Sequence, residues 1–219
     1  MNEQTFWDIA KALITAAAGF AGVWYGQRNL ARKDARLAAQ EEEKAKQEVT
    51  YAASVVIEHL ERYLNECSAV AHDDGIEYGR PAGKNDCYQA TTSEPQFDPD
   101  KVNVNLKVLP PDLIYDILAI RSRQENIERY LGSPGFDDPP YDEYIGERAR
   151  MYAELGQQVT QIALRLRRAG GLPSEVLTKG DWSRDQGFAE VIDRFKACRA
   201  RHEQVHREST AKLPPPGVM

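Results

Sequence analysis

Three residues near the C-terminus have types and spacing that suit a metal ion. Cys198, His202 and His206 follow one another at intervals of four, so on a helix their side chains would lie along one face. No CxxC or HExxH motif accompanies them. The same spacing places Cys198 and His202 on the apolar face of an amphipathic helix. We therefore interpret them as packing residues and predict neither a metal nor a cofactor.

The other patterns that could indicate an enzyme are missing or have a structural explanation. No GxxxxGK[ST], GxGxxG or GxSxG motif occurs in the sequence. The acidic stretches at 72–75 and 136–144 fall where a helix is expected to end or begin, and there acidic residues cap helices or offset the helix dipole. Arg165, Arg167 and Arg168 fall in a last helical turn, where the alternative is a surface for an acidic lipid or partner. We expect a protein that is not an enzyme, with an unrecognised active site as the alternative.

The composition argues against nucleic acid as a partner. The chain has 28 Lys and Arg against 34 Asp and Glu, a formal net charge of −6, whereas nucleic-acid-binding domains usually present a basic surface. Its cysteines, Cys67, Cys87 and Cys198, lie far apart, unlike a disulfide framework. A chain of 219 residues is long enough for one domain with its own hydrophobic core. The number and spacing of the cysteines favour a reducing compartment.

The N-terminal segment, residues 1–27, has the length of a transmembrane helix. Its apolar part would extend about 30 Å, which matches the hydrocarbon layer of a bilayer. Trp7 and Trp24 stand near its two ends, where aromatic rings favour the lipid headgroups. The segment is rich in Ala and Gly, which drive insertion weakly, and it contains Asp8 and Lys11. The sequence predicts a span in contact with membrane lipid, and the alternative is a helix of a soluble protein.

The flanking charges predict the orientation of this span. Four basic residues and one acidic residue follow it within residues 28–36, and positive flanks stay in the cytoplasm. We therefore expect a single-pass protein of the bacterial inner membrane, with the N-terminus outside and the C-terminal domain in the cytoplasm. The small residues Ala18, Gly22 and Gly26 recur every four positions, a spacing that lets two spans approach closely and associate as a homo-oligomer.

The remaining chain has the periodicity of helices, which predicts an all-α fold. We expect the N-terminal helix to continue through a charged helical spacer, residues 28–48, into an antiparallel helical bundle, residues 49–208, followed by a disordered tail, residues 209–219. Arg148 is the one charged residue at a core position of the third helix. The predicted core positions are Val49, Ala53, Val56, Leu60, Tyr63, Cys67 and Val70; Leu113, Ile117, Ile120, Ile127 and Leu131; Tyr141, Ile145, Tyr152, Leu155, Val159, Ile162, Leu166 and Ala169; and Phe188, Ile192, Phe195, Cys198, His202 and Val205.

One long irregular insertion, residues 73–109, interrupts the bundle. Apolar and polar residues alternate over 102–108, which predicts either a small hairpin, with 87–92 as the second strand, or an extended segment packed along a groove between helices. Such a length exceeds an ordinary connection. Tyr78, Tyr88 and Phe97 must either pack on the bundle or await a protein partner.

Over roughly residues 60–173 the chain resembles uncharacterised bacterial and prophage-type proteins with one N-terminal span and a helical cytoplasmic part. The shared texture lies in DDGIEYGRP, EPQFDPDKVNVNLKVLPPDLIYDIL and ERARMYAELGQQVTQIALRLRRAGGLP. The resemblance implies this architecture and no activity. The function we expect is recruitment or sensing of a partner by the cytoplasmic domain, and the alternative is a phage lysis or envelope-spanning component.

Overall fold

The structure, a computed structural model, describes residues 3–133, 136, 142–173 and 183–211, and this part of the chain is mostly helical. The predicted all-α class is confirmed. Helix α1 spans Glu3–Ala71, α2 Pro111–Leu131, α3 Asp142–Ala169 and α4 Arg184–Ala211. A small antiparallel sheet pairs β1, Ile76–Glu77, with β2, Arg80–Pro81, and short 3-10 turns lie at Lys84–Asp86, Pro99–Lys101 and Leu106–Val108.

The chain divides after Glu48 into two compact units. The predicted spacer, residues 28–48, is helical, its side chains from residue 32 onward are exposed, and Lys46 pairs with Glu42 at 2.8 Å. Among the helices of the described residues, none has a stretch both long and apolar enough to cross a membrane. The predicted contact residues of the span lie in α1, but their side chains fall outside the described part of the structure. They are Ala18, Gly22 and Gly26.

Within the second unit, α3 runs antiparallel to α1 and to α2. Near its C-terminal end, Arg165 forms ion pairs with Asp112 and Asp116 at the start of α2, and the carbonyl of Gly170 accepts a hydrogen bond of 2.8 Å from Thr50 on α1. Helices α1 and α2 therefore run in the same direction. The predicted antiparallel arrangement is wrong for this pair, because the chain between them returns along α2, about 31 Å of helix, before α2 begins.

Two glycines of α3 fix where α4 packs. A Cβ on Gly156 would lie 2.5 Å from the ring of Phe188, so only glycine fits there. Nearer the start of α3, a Cβ on Gly146 would make an ordinary contact of 3.6 Å with Phe195. Since later residues of α4 lie beside earlier residues of α3, these two helices are also antiparallel.

The second half of α4 does not pack as predicted. Cys198, His202 and Val205 are exposed, Val205 by 64 %. Phe195 already lies beside the first turns of α3, so α4 continues beyond the start of that helix and these three side chains stay exposed. Helix α4 ends at Ala211, so it includes the first three residues of the predicted tail, and the rest of the tail lies outside the described residues.

The hydrophobic core contains most of the predicted positions. In α1 and α2 every predicted residue is buried except Val49, which is half-buried, and in α3 the exception is Ala169, which is exposed. Tyr141 lies outside the described residues. Three residues of the long connection, Phe97, Val102 and Leu109, complete this core.

Candidate functional site

The connection between α1 and α2 has two parts, which we name the end loop, residues 73–92, and the return segment, residues 95–109. The return segment lies between α1 and α2. Phe97 is buried and its ring stacks edge to face on Tyr63 at a centroid distance of 5.6 Å, while the amide of Gln96 donates to Glu66 at 3.1 Å. Phe97 is therefore a core residue and not, as the alternative held, part of a partner surface.

The predicted hairpin of the return segment does not form. Its alternation is real, because Val102 is buried and Asn103 is exposed, but its backbone bonds are local. The amide of Val104 donates to the carbonyl of Val102 at 2.8 Å, and that of Leu109 to Leu106 at 3.0 Å. The segment therefore packs along the helices without sheet pairing, the second of the two alternatives, and the hairpin of this connection lies instead at β1 and β2.

A buried ion pair closes the base of the end loop. The side chains of Asp73 and Arg148 are 0 % and 2 % exposed, and Arg148 Nη1 lies 3.1 Å from Asp73 Oδ2. The hydroxyls of Thr91 and Thr92 donate to the same carboxylate at 2.8 Å each, and their amides donate at 2.9 and 3.0 Å. Arg148 Nη2 also donates to the carbonyl of Thr92 at 2.8 Å. We name these four residues the clasp.

The clasp keeps Asp73 ionised. Burial alone would raise the pKa of this carboxyl, but hydrogen bonds from the hydroxyls of Thr91 and Thr92 and from the amides of Gly75 and Thr92 lower it to about 2. Asp73 belongs to the acidic stretch 72–75, for which the sequence predicts a structural role at a helix end, and its carboxylate instead binds the end loop and Arg148 of α3. The available signal was Arg148, the charged residue inside an apolar stripe, because a buried arginine requires a carboxylate partner.

The hairpin of the end loop presents Tyr78 to solvent. Its two-residue turn consists of Tyr78 and Gly79, with φ of 51° and 79°, the left-handed values that a type I′ turn requires. Tyr78 is 98 % exposed. The hairpin is fixed at its base, where the amide of Ala82 donates to the carbonyl of Gly75 at 2.9 Å. Of the three predicted partner residues, Tyr78 is thus the one displayed on the surface.

A second tight turn follows, and its residues are of types that tolerate left-handed backbone. Asn85 and Asp86 have φ of 58° and 57°, and the amide of Cys87 donates to the carbonyl of Lys84 at 3.3 Å. Asn and Asp tolerate left-handed backbone, whereas an aromatic residue is unfavourable there. The same loop therefore uses favourable residues in one turn and a strained, solvent-exposed tyrosine in the other.

Next to the second turn lies a cavity of ≈ 680 Å³ that is open to solvent.

 This aromatic cavity is lined by the end loop, by the end of α2 and by the start of α3. Tyr88 is half-buried in its wall, and Phe136 and Tyr144 contribute rings whose centroids are 6.3 Å apart. Cys87 and Leu131 also line this cavity.

Behind the return segment, the core contains polar groups that are hydrogen-bonded to one another. The hydroxyl of Tyr63 and the amide of Phe97 both donate to Gln124 Oε1, at 3.2 and 3.4 Å, and Gln124 Nε2 donates to Glu128 at 2.7 Å. Burial raises the pKa of Cys67 to about 12, so this thiol is protonated at neutral pH. The cluster offers no activated nucleophile.

The remaining candidates from the sequence are not assembled into a site. Within the described residues, no group of three His, Cys, Asp or Glu side chains could hold a metal ion. Two of the three arginines at the end of α3 have partners, since Arg165 pairs with α2 and Arg167 lies 3.3 Å from Glu61. Arg168 is exposed.

Comparisons with protein-family models, with curated proteins and with solved structures find no match for this chain. The resemblance to prophage-type proteins therefore stays a prediction.

Proposed function

We propose that the second unit is a non-enzymatic binding domain that holds a protein partner through Tyr78. The observation that carries this proposal is the backbone of Tyr78, because an almost fully exposed aromatic residue occupies a left-handed position. An L-residue in this conformation costs about 1 kcal/mol or more. Among the described residues nothing packs on the ring to offset that cost, which supports a benefit from a binding partner.

The surroundings of Tyr78 suit a binding anchor. Aromatic side chains dominate binding hot spots, because they bury a large area with few rotatable bonds. The clasp holds the base of the end loop, so the backbone of the hairpin is ordered before a partner arrives and less entropy is lost on binding. Glu77 and Arg80 flank the tyrosine as a cross-strand pair of opposite charge. The partner we propose has an apolar pocket for the ring and a hydrogen-bond acceptor for the phenol.

The test places a photo-crosslinking amino acid at position 78 of the full chain in cells, and again at position 115. Tyr115 is the matched control, an exposed tyrosine on α2 that is 72 % accessible. We expect a discrete crosslinked partner from position 78 only. With that partner purified, Tyr78→Ala should weaken binding by more than about 30-fold, as for a hot-spot residue, while Tyr115→Ala should leave affinity unchanged. Equal effects of the two substitutions would refute the proposal.

We further propose that residues 1–27 attach this domain to the cytoplasmic side of the bacterial inner membrane. The support is the sequence, which has aromatic residues at both ends of the segment and a basic cluster after it. The full chain should stay in the membrane pellet after alkaline carbonate extraction, and a variant lacking residues 1–27 should not. A C-terminal fluorescent fusion should be bright and a C-terminal alkaline phosphatase fusion inactive. The opposite pair of results would favour the envelope-spanning alternative.

A further inference from the structure

Two buried polar groups of α3 have no partner in the part of the chain that the structure describes. They are Arg148 Nε and the hydroxyl of Tyr152. Buried polar groups are almost always hydrogen-bonded, either to protein or to ordered water. We infer that an internal water molecule binds between these two groups, accepting a hydrogen bond from Arg148 Nε and bonding to the hydroxyl of Tyr152.

The helix places both side chains on one face. Arg148 and Tyr152 are four residues apart on α3, so they leave the helix one turn apart and in the same direction. Their exposed fractions are 2 % and 0 %. Burial raises the pKa of the Tyr152 phenol, and the charge of Arg148 opposes this rise, so the guanidinium and the hydroxyl are within electrostatic range of each other. Both groups therefore face the same part of the interior.

The two terminal nitrogens of Arg148 are engaged in the clasp, which leaves Nε. Nη1 donates to Asp73 at 3.1 Å and to the hydroxyl oxygen of Thr92 at 3.3 Å, and Nη2 donates to the carbonyl of Thr92 at 2.8 Å. Because these contacts fix the plane of the guanidinium, Nε cannot turn toward another protein acceptor without breaking the clasp. A buried donor left unpaired is unfavourable, and a water molecule is small enough to pair with it.

The charges around the two groups favour water over an ion. Asp73 lies 3.1 Å from Arg148 and neutralises it, so the guanidinium has no excess charge to hold an anion. Besides burial, the charges of Glu94 and Glu128 raise the pKa of the Tyr152 phenol, and these carboxylates would repel an anion. A cation would face the N–H of Nε. A neutral molecule that both donates and accepts fits the two groups, and two polar partners are sufficient to hold a buried water.

The sign of a stability change tests the site. In the full chain, Tyr152→Phe should lower the urea midpoint, because the variant loses the hydrogen bond between the hydroxyl and the water. Removing a buried hydroxyl that had no partner would instead raise the midpoint. The matched control is Tyr63→Phe, since Tyr63 is also a buried tyrosine and its hydroxyl donates to Gln124 at 3.2 Å. The two substitutions should lower the midpoint by similar amounts.

A measurement on the water itself distinguishes the two tyrosines. Magnetic relaxation dispersion of the water oxygen counts the water molecules that stay in the protein longer than its tumbling time. It should show about one long-lived water fewer in Tyr152→Phe than in the parent chain, and no change in Tyr63→Phe. An unchanged count in Tyr152→Phe, or a raised urea midpoint, would overturn the inference.

Two competing partners of the hydroxyl are tested separately. If the exposed carboxylate of Glu94 accepted its hydrogen bond, the loss caused by Tyr152→Phe would disappear in a Glu94→Ala background, whereas a bound water predicts the same loss in both backgrounds. If an anion occupied the site, the urea midpoint of the parent would depend on chloride at constant ionic strength and that of Tyr152→Phe would not. Either result would overturn the assignment to water. Tyr78 is unchanged in all these variants, so their outcome is independent of the proposed function.

Discussion

The end loop and the return segment belong to one connection, yet they are attached to the bundle by different forces. The return segment is held by burial of apolar side chains such as Phe97 and Val102. The end loop is held at its base by the clasp, in which one carboxylate accepts bonds from hydroxyls, amides and a guanidinium. Apolar burial is non-directional, whereas hydrogen bonds fix the orientation of the groups they join. The part that displays Tyr78 is thus the part with directional contacts.

This difference explains why a polar base suits a displayed loop. An apolar anchor would need large side chains turned inward from the end loop, and these would compete with the outward display of Tyr78. A carboxylate at one end of the loop and two threonines at the other close it with little side-chain volume. Since breaking a buried ion pair leaves an uncompensated charge, the closure should also be sensitive to single substitutions.

The largest effect should come from removing the arginine of the clasp. Arg148→Ala should lower the free energy of unfolding by about 3 to 5 kcal/mol, because it leaves the buried carboxylate of Asp73 without its counter-ion. Urea denaturation of the full chain at neutral pH measures this loss. Arg168→Ala is the control, an exposed arginine on the same helix, and it should change stability by less than about 0.5 kcal/mol.

A double substitution separates the ion pair from the space it fills. Asp73→Ala combined with Arg148→Ala should cost less than the sum of the two single changes, because no buried charge remains. Strict additivity would contradict the account of the clasp as a coupled pair.

The second prediction concerns acid. The pKa of Asp73 is about 2 in the folded protein, below its ordinary value of 3.8. A group with a lowered folded-state pKa stabilises the fold above its ordinary value, and this contribution disappears as the pH falls through the lowered one. From pH 5 to pH 2 the parent should lose roughly 2 kcal/mol more than the double variant without the clasp charges. Parallel acid profiles for the two proteins would show that Asp73 is not the group responsible.

The sequence predicted the helices well because their signal is periodic and local. The residues of α2 at its predicted core positions are all buried, as spacing by three and four requires. The clasp was not predicted, because Asp73 and Arg148 are far apart in the sequence. The position of Asp73 at a helix end had a local explanation, and the charge of Arg148 at a core position had none. The exposed second half of α4 was also missed, since periodicity shows which face is apolar but not whether a neighbour extends far enough to cover it.

The third prediction tests the apolar attachment of the return segment. Phe97→Leu keeps an apolar side chain of smaller volume and should cost about 1 kcal/mol. Unlike the effect of the clasp, this loss should be the same at pH 5 and at pH 2, because no titrating group is involved in the contact. Urea midpoints at the two values measure it. A loss that changes with pH would show that the two attachments are coupled.

The smallest effect should be a gain of stability at the site proposed to bind. Tyr78→Asn places at the first position of the type I′ turn a residue that tolerates left-handed backbone, as the second turn of the end loop already does at Asn85. We expect the free energy of unfolding to rise by about 0.5 to 1 kcal/mol, while affinity for the purified partner is lost. Tyr115→Asn is the matched control, because Tyr and Asn have similar helix propensities, and it should change neither quantity. If Tyr78→Asn destabilises the fold instead, the tyrosine contributes to the bundle itself, and its exposed position no longer indicates a partner.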